Sequence, residues 1–435
     1  MNRAAGWLLA IWIALVATEG MLRYLFVSSG LPFLIYAKDA ILLAIIAWYG
    51  LYVATRWRID TTLSLSGAVL VYGVLLAVWH GFSPAQVGFG LKIFLTFVAG
   101  YTVAMSPSID GTALRRAFRI FVPLVALGLV LEMLTTVPWA GFAYEAFGQT
   151  VEGSRLWGMS GLPRLAGFGR ASFSTANMLL CLAALYLADR VTRADRDRRA
   201  VRFFDALLLA LCFSGIVVTT AKTALLALLA LGLLMVLLTL QRHARGNLTL
   251  IWRGISQCCL TVFAFLVVVP PVLAVASPAT VTGLLRTNNI IINILASSYV
   301  ARMERMWPEA AGLLTLDHNL LTGRGVGGIG TAQRYFETAQ YNAADNLFVY
   351  LVVTFGVVIA AAAIGFLLWK GLRLRAAHPG SAYLLVVVLI GLVCGATTNV
   401  VESAGLLMTA GVAMALWRRI DDTRKTENEP EFPTS

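Results

Sequence analysis

The sequence predicts an all-α, polytopic membrane protein of about 12 transmembrane helices, and three observations predict it. Hydrophobic residues make up 59% of the 435-residue chain and charged residues 13%, where a soluble domain has about 45–50% and about 25%. The apolar residues come in continuous runs rather than alternating ones, which excludes a β-barrel. Lys and Arg collect in every second connection between runs, as they do in cytoplasmic loops. The same figures exclude a soluble enzyme, a secreted disulfide scaffold and a disordered chain.

About 20 residues at 1.5 Å each cross a hydrocarbon layer about 30 Å thick. Twelve runs approach that length, at 7–27, 38–55, 63–80, 87–106, 118–137, 171–189, 203–220, 222–240, 250–276, 345–369, 382–399 and 404–417. The first has no small-residue cleavage site and reads as a span rather than a signal peptide. With the N-terminus inside, the inner loops hold Arg3, Arg56, Arg58, Arg115, Arg116, Arg119, six Arg between 190 and 202, Arg242, Arg245, Arg253, Lys370, Arg373 and Arg375. Arg418, Arg419, Arg424 and Lys425 follow the last span, so both termini are expected in the cytoplasm. The whole of 1–435 reads as one integral membrane domain with a disordered polar tail at 420–435.

Two outer segments are long, 138–170 and 277–344, and long connections tend to be functional. Within the second, Ser298–Leu316 is mixed in polarity and reads as a helix lying on the outer face, with Pro308 near its start or at a kink.

The net charge of +12 follows from the inner loops and implies no nucleic acid. The five cysteines all sit in apolar runs, and His80, His243, His318 and His378 form no cluster, so no metal site and no cofactor are expected. Gly323-Arg324-Gly325-Val326-Gly327-Gly328 spells G-x-G-x-x-G without a preceding strand. It reads as a turn close to a ligand or helix, not a dinucleotide loop.

The informative charges are those on the outer side, where cations are scarce: Arg155, Arg164, Arg170, Lys222, Arg286, Arg302, Arg305, Arg324 and Arg334. Arg23, Lys38 and Lys92 are set aside as lying in or near spans. The outer set reads either as solvated loop charges or as an anion site, since Arg matches phosphate oxygens bidentately. Lys222 stands between two apolar runs in Thr219-Thr220-Ala221-Lys222-Thr223. It either snorkels or contacts a phosphate. Asp345, with Asn346 after it, opens the tenth run. It can cap that helix or act as a general base, and Glu402 is a second carboxylate of this kind.

Taken in order, these pieces resemble the O-antigen ligase and Wzy-type polymerase superfamily of bacterial envelope proteins. The pieces are Arg164–Arg170 with Asn177, Thr220-Ala221-Lys222-Thr223-Ala224, Arg302–Trp307, Leu321–Gly327, and Asp345-Asn346-Leu347 with Phe355-Gly356. The likeness covers about residues 150–400, and the earlier helices match in hydropathy alone.

The resemblance implies an inverting, metal-independent glycosyltransferase of the inner membrane, with its active site on the periplasmic face in a large periplasmic loop containing short helices. It implies an undecaprenyl-diphosphate-linked donor and, as partners, a flippase and a chain-length regulator. By resemblance, Lys222 and one of Arg302 and Arg305 hold the diphosphate, Asp345 acts on the acceptor, and Arg164, Arg170, Arg324 and Asn346 contact substrate. Ligases commonly carry His where this chain has Asp345, and Asp-Asn is the commoner polymerase pattern. A polymerase is therefore the first reading and a ligase acting on lipid A core the second. A transporter or flippase is the third, and it would call for mid-membrane charges and repeat symmetry.

Overall fold

In a computed structural model, residues 2–56, 60–146, 148–159, 162–193, 203–277, 297–316 and 319–428 are described. Helix dominates, and each of the twelve apolar runs falls on it. The helices are α1 (Asn2–Ala17), α2 (Glu19–Ser28), α3 (Ala37–Arg56), α4 (Thr61–Trp79), α5 (Pro84–Ala104), α6 (Gly111–Leu134), α7 (Ser172–Arg193) and α8 (Phe203–Val218). There follow α9 (Lys222–His243), α10 (Asn247–Ala276), α11 (Trp307–Leu316), α12 (Thr331–Phe336), α13 (Leu347–Leu372), α14 (Ser381–Leu392) and α15 (Ala404–Asn428). Among the described residues eight helices are long and apolar enough to cross a membrane, or up to nine if the pair α1–α2, bent by 80°, is one span. The runs at 203–220 and 382–399 form shorter apolar helices.

Backbone polar groups satisfied within a helix make such segments stable in lipid. Which helices sit centrally follows from burial: every residue of α14 is buried, as is most of α7. Leu25, Phe33, Leu51, Leu75 and Leu229 remain exposed on the periphery.

Polar side chains tie the connections together at one end of the bundle. Arg419 Nη1 donates to the carbonyls of Ala104, Ser106 and Ile109 at 2.9–3.0 Å. Arg115 pairs with Asp189 at 3.2 Å and Arg119 with Asp205 at 2.7 Å. Arg242 Nε donates to Ala376 O at 2.6 Å. These residues belong to the loops that the charge count puts on one side, so the alternation read from sequence corresponds to a physical end.

One feature differs from expectation and two add detail to it. The tail does not become disordered at residue 420: α15 continues to Asn428. Arg418 pairs with Asp422 at 3.2 Å, and Asp421 accepts from His378 Nε2, also at 3.2 Å. Residues 429–435 lie outside the described set. In the outer segment 138–170 two small antiparallel hairpins pair backbone groups. They are β1 (Ala143–Ala146) with β2 (Gln149–Glu152), and β3 (Trp157–Met159) with β4 (Leu162–Arg164). In the second long segment, 278–296 and 317–318 lie outside the described residues. Arg302–Met306 forms a π turn that runs into α11, with the Trp307 N–H bonded to Arg302 O. Pro308 explains the turn, because it has no N–H to offer the carbonyl four residues back.

The glycine-rich stretch is buried in the bundle. The N–H groups of Arg324 and Gly325 bond to the carbonyls of Val353 and Thr354 in α13 at 2.7 and 2.9 Å. Val326 N–H bonds to Gly73 O of α4 at 3.0 Å. Here α13 breaks at Gly356 (φ 85°, ψ 165°), and a Cβ at Gly356 would run into the backbone of Leu321. Only glycine tolerates that approach at positive φ, so the motif is a close-packing device against helices.

Candidate functional site

At the bundle end opposite the Arg419 and Asp189 contacts, two turns, the one between α8 and α9 and the one before α13, are held in an uncommon conformation. Thr220, Ala344 and Asp345 are the three non-glycine residues with positive φ among the described residues, at 55°, 59° and 45°. Such backbone costs about 1–3 kcal/mol per residue and tends to cluster at functional sites. Thr220 bends the α8–α9 turn so that Lys222 opens α9, and its Oγ1 is buried without a hydrogen-bond partner.

The Ala344–Asp345 kink is held by a frame of side-chain bonds. Trp307 Nε1 donates to Ala344 O at 2.9 Å, Asn399 Nδ2 to Ala343 O at 2.9 Å, and Asn342 Oδ1 accepts from Ala344 N at 2.8 Å. The helix cap is Asn346, whose Oδ1 accepts from Val349 N at 3.0 Å. Its Nδ2 donates to Val267 O at 3.0 Å and Ala396 O at 3.1 Å. Asn346 is fully buried, so it locks the turn and has no surface to offer a ligand.

Asp345 is thereby relieved of capping and faces Arg302, whose Nε and Nη2 donate to its Oδ2 at 3.2 and 3.0 Å. Lys222 feels the positive charges of both Arg164 and Arg302. Cations from β4 and the π turn thus lie within electrostatic reach of Lys222, and the one from the π turn, Arg302, is paired with Asp345. Arg305 points elsewhere: it is 82% exposed on its side chain and pairs with Glu309 at 2.8 Å. Residues three apart share a face in an α-helix, and the π turn separates them.

Arg324 lies in a different place. Its Nη1 donates to Gly328 O at 2.8 Å and to Glu337 at 3.2 Å, and its guanidinium lies over the Phe82 ring. With His80, Gln86, Phe336 and Glu337 it lines a cavity of about 710 Å³.

Arg170 joins a second group that sequence reasoning dispersed. Glu19 accepts from Arg23 at 2.6 Å and from Lys38 at 2.7 Å. The charges of Arg23 and Glu19 both act on Arg170, whose guanidinium is lowered from its ordinary value by burial and by its cationic neighbours. An acidic residue inside the first apolar run is the signal that could have found this group, since intramembrane ionisable residues are costly and functional by default.

Glu402 lies within electrostatic reach of both sets, feeling Asp345 and Arg170. Burial pushes its carboxyl up to about 7, against the pull of the Thr331 N–H bonded to it. Among the described residues no group of three metal-binding side chains occurs. Comparison with protein-family models, with curated proteins and with solved structures finds no match.

Proposed function

We propose that the chain is a polysaccharide polymerase of the bacterial inner membrane, transferring a growing glycan from undecaprenyl diphosphate to a lipid-linked repeat unit on the periplasmic face. The observation that carries this reading is the Arg302–Asp345 pair at a strained turn, with Lys222 in electrostatic reach of Arg302 and Arg164, at one end of a bundle of apolar helices. Twelve spans with both termini cytoplasmic belong to the same reading, supported by the common end of the Arg-rich loops.

The chemistry is a displacement at the anomeric carbon. The acceptor hydroxyl oxygen forms the new C–O bond as the bond to the diphosphate oxygen breaks, and the electron pair leaves with undecaprenyl diphosphate. Attack from the opposite face inverts the centre. Fixed cations in a site of low dielectric stabilise the developing charge on the leaving group. Arg302 cannot grip a diphosphate bidentately while Nε and Nη2 both serve Asp345, so donor binding displaces the carboxylate. Asp345 is then available to take the hydroxyl proton.

The test is chain growth in cells. Lys222→Ala and Arg302→Ala abolish polymer while the protein still inserts at wild-type levels. Polymer of normal length from both variants removes the diphosphate assignment. A ligase differs only in its acceptor, and the deletion strain separates the two. Core capped with a single repeat unit follows loss of a polymerase, and uncapped core with lipid-linked polymer follows loss of a ligase.

A further inference from the structure

Lys222 and Asp345 stand on separate turns, and groups that act together must keep their spacing to within about 0.5 Å. Strained backbone holds such a geometry only where the surroundings over-determine it. The Asp345 N–H bonds to Ala343 O at 2.7 Å and closes a three-residue turn about Ala344 at positive φ, the strained form of that turn. Asn399 Nδ2 donates to the same carbonyl at 2.9 Å. The oxygen that closes the strained turn is therefore braced from the connection 393–403, which joins α14 to α15. Two positions earlier in that connection, the Thr397 hydroxyl meets the Thr223 hydroxyl at 2.8 Å. Thr223 follows Lys222 in the first turn of α9. One connection thus touches both the Lys222 turn and the Asp345 turn.

The connection is itself anchored, which lets it set a spacing. Ala396 O accepts from Asn346 Nδ2 at 3.1 Å, and Ser403 Oγ accepts from Asn177 Nδ2 at 3.2 Å. Asn399 Oδ1 accepts from the Glu402 N–H at 3.2 Å, so both ends of its amide are engaged and its orientation is fixed. The Glu402 side chain in turn accepts from the Thr331 N–H at the start of α12. Asn399 is buried and Thr397 half-buried, where a hydrogen bond is stronger than in water. The bonds of Thr397 and Asn399 go to a hydroxyl and to a backbone carbonyl. They act on the two charged groups through the turns that carry them.

We infer that Thr397 and Asn399 are positioning residues, which lock the Lys222 turn and the Asp345 turn into one unit so that the cation and the carboxylate keep a fixed spacing. This inference rests on the function proposed above for the part the two turns play in glycosyl transfer.

Hydrogen exchange of the purified protein, read by mass spectrometry on peptides covering 219–225 and 343–349, tests the coupling without any assay of activity. Thr397→Val removes the hydroxyl at nearly constant volume, Thr397→Ser keeps it, and a monodisperse elution profile verifies folding. Thr397→Val is expected to speed exchange in 343–349, and Asn399→Ala to speed it in 219–225. Each effect should be about fivefold, the scale of one hydrogen bond, and Thr397→Ser should exchange as wild type. Loosening confined to the turn that each residue touches overturns the proposal, as does no loosening at all. The reconstituted reaction then links the coupling to chemistry. Per folded molecule, kcat of Thr397→Val should fall about tenfold or more with KM unchanged, and Thr397→Ser should restore it. A kcat equal to wild type in Thr397→Val, or a fall that Thr397→Ser shares, overturns the positioning role. Where wild-type protein forms no polymer, cross-turn loosening supports the shared unit and the polymerase reading alone fails.

Discussion

Asn346→Ala perturbs three bonds at once, and their physical origins differ. The side-chain oxygen caps α13 through the Val349 N–H, a contact whose loss costs about 1 kcal/mol. One Nδ2 bond serves Val267 O. That carbonyl lies four residues before Pro271, which has no N–H to close the helical bond. Asn346 thus replaces a donor that the α10 sequence omits. The other Nδ2 bond serves Ala396 O in the turn after α14. A buried carbonyl left unsatisfied costs about 1–3 kcal/mol, although interhelical hydrogen bonds in membranes average about 0.6 kcal/mol. The predicted destabilisation is therefore between about 2 and about 7 kcal/mol, read from detergent-induced unfolding of the purified protein. Adding Pro271→Ala restores an N–H four residues beyond Val267. The double variant should recover about 1 kcal/mol relative to the sum of the single changes. Additive effects, or a loss below about 0.5 kcal/mol for Asn346→Ala, refute the reasoning.

Other perturbations separate neighbouring residues or act through packing and pH. Arg305→Ala should polymerise as wild type whereas Arg302→Ala does not, because only Arg302 meets Asp345. Gel analysis of polymer from the two strains decides. Gly356→Ala should abolish stable insertion, since its Cβ collides with the Leu321 backbone at positive φ, and membrane-fraction immunoblotting shows the loss. The Glu402 carboxyl is raised from an ordinary 4.5 to about 7, so the native state holds a proton that the unfolded chain releases. Stability should fall as pH rises from about 4.5 to about 7, by about 3 kcal/mol. Glu402→Gln should flatten that slope, and a flat wild-type profile would contradict the assignment.

Much of the helical framework was legible because apolar runs and alternating basic loops follow directly from the cost of polar groups in lipid. Lys222 and Asp345 were legible for the same reason, as charges next to apolar runs. The partner of Asp345 was not, because choosing between Arg302 and Arg305 needs the π turn that Pro308 imposes. The contacts that Arg324 and Asn346 make, with Glu337 at the wall of a cavity for the first and with Val267 and Ala396 for the second, were not legible because those partners are not their sequence neighbours. Arg23 and Lys38 were discounted for lying near spans, yet the bend between α1 and α2 sets them around Glu19. The tail from residue 420 looked disordered by composition, but its Asp421 and Asp422 find His378 and Arg418.

The most direct test is reconstitution of the purified protein with lipid-linked repeat units alone, without nucleotide sugar, metal or other protein. The account predicts lipid-linked products longer by whole repeat units, formed in detergent where nothing needs to be transported. Those products should be absent with Lys222→Ala or Arg302→Ala protein. Unchanged repeat units from well-folded wild-type protein, or elongation that persists in both variants, would contradict it.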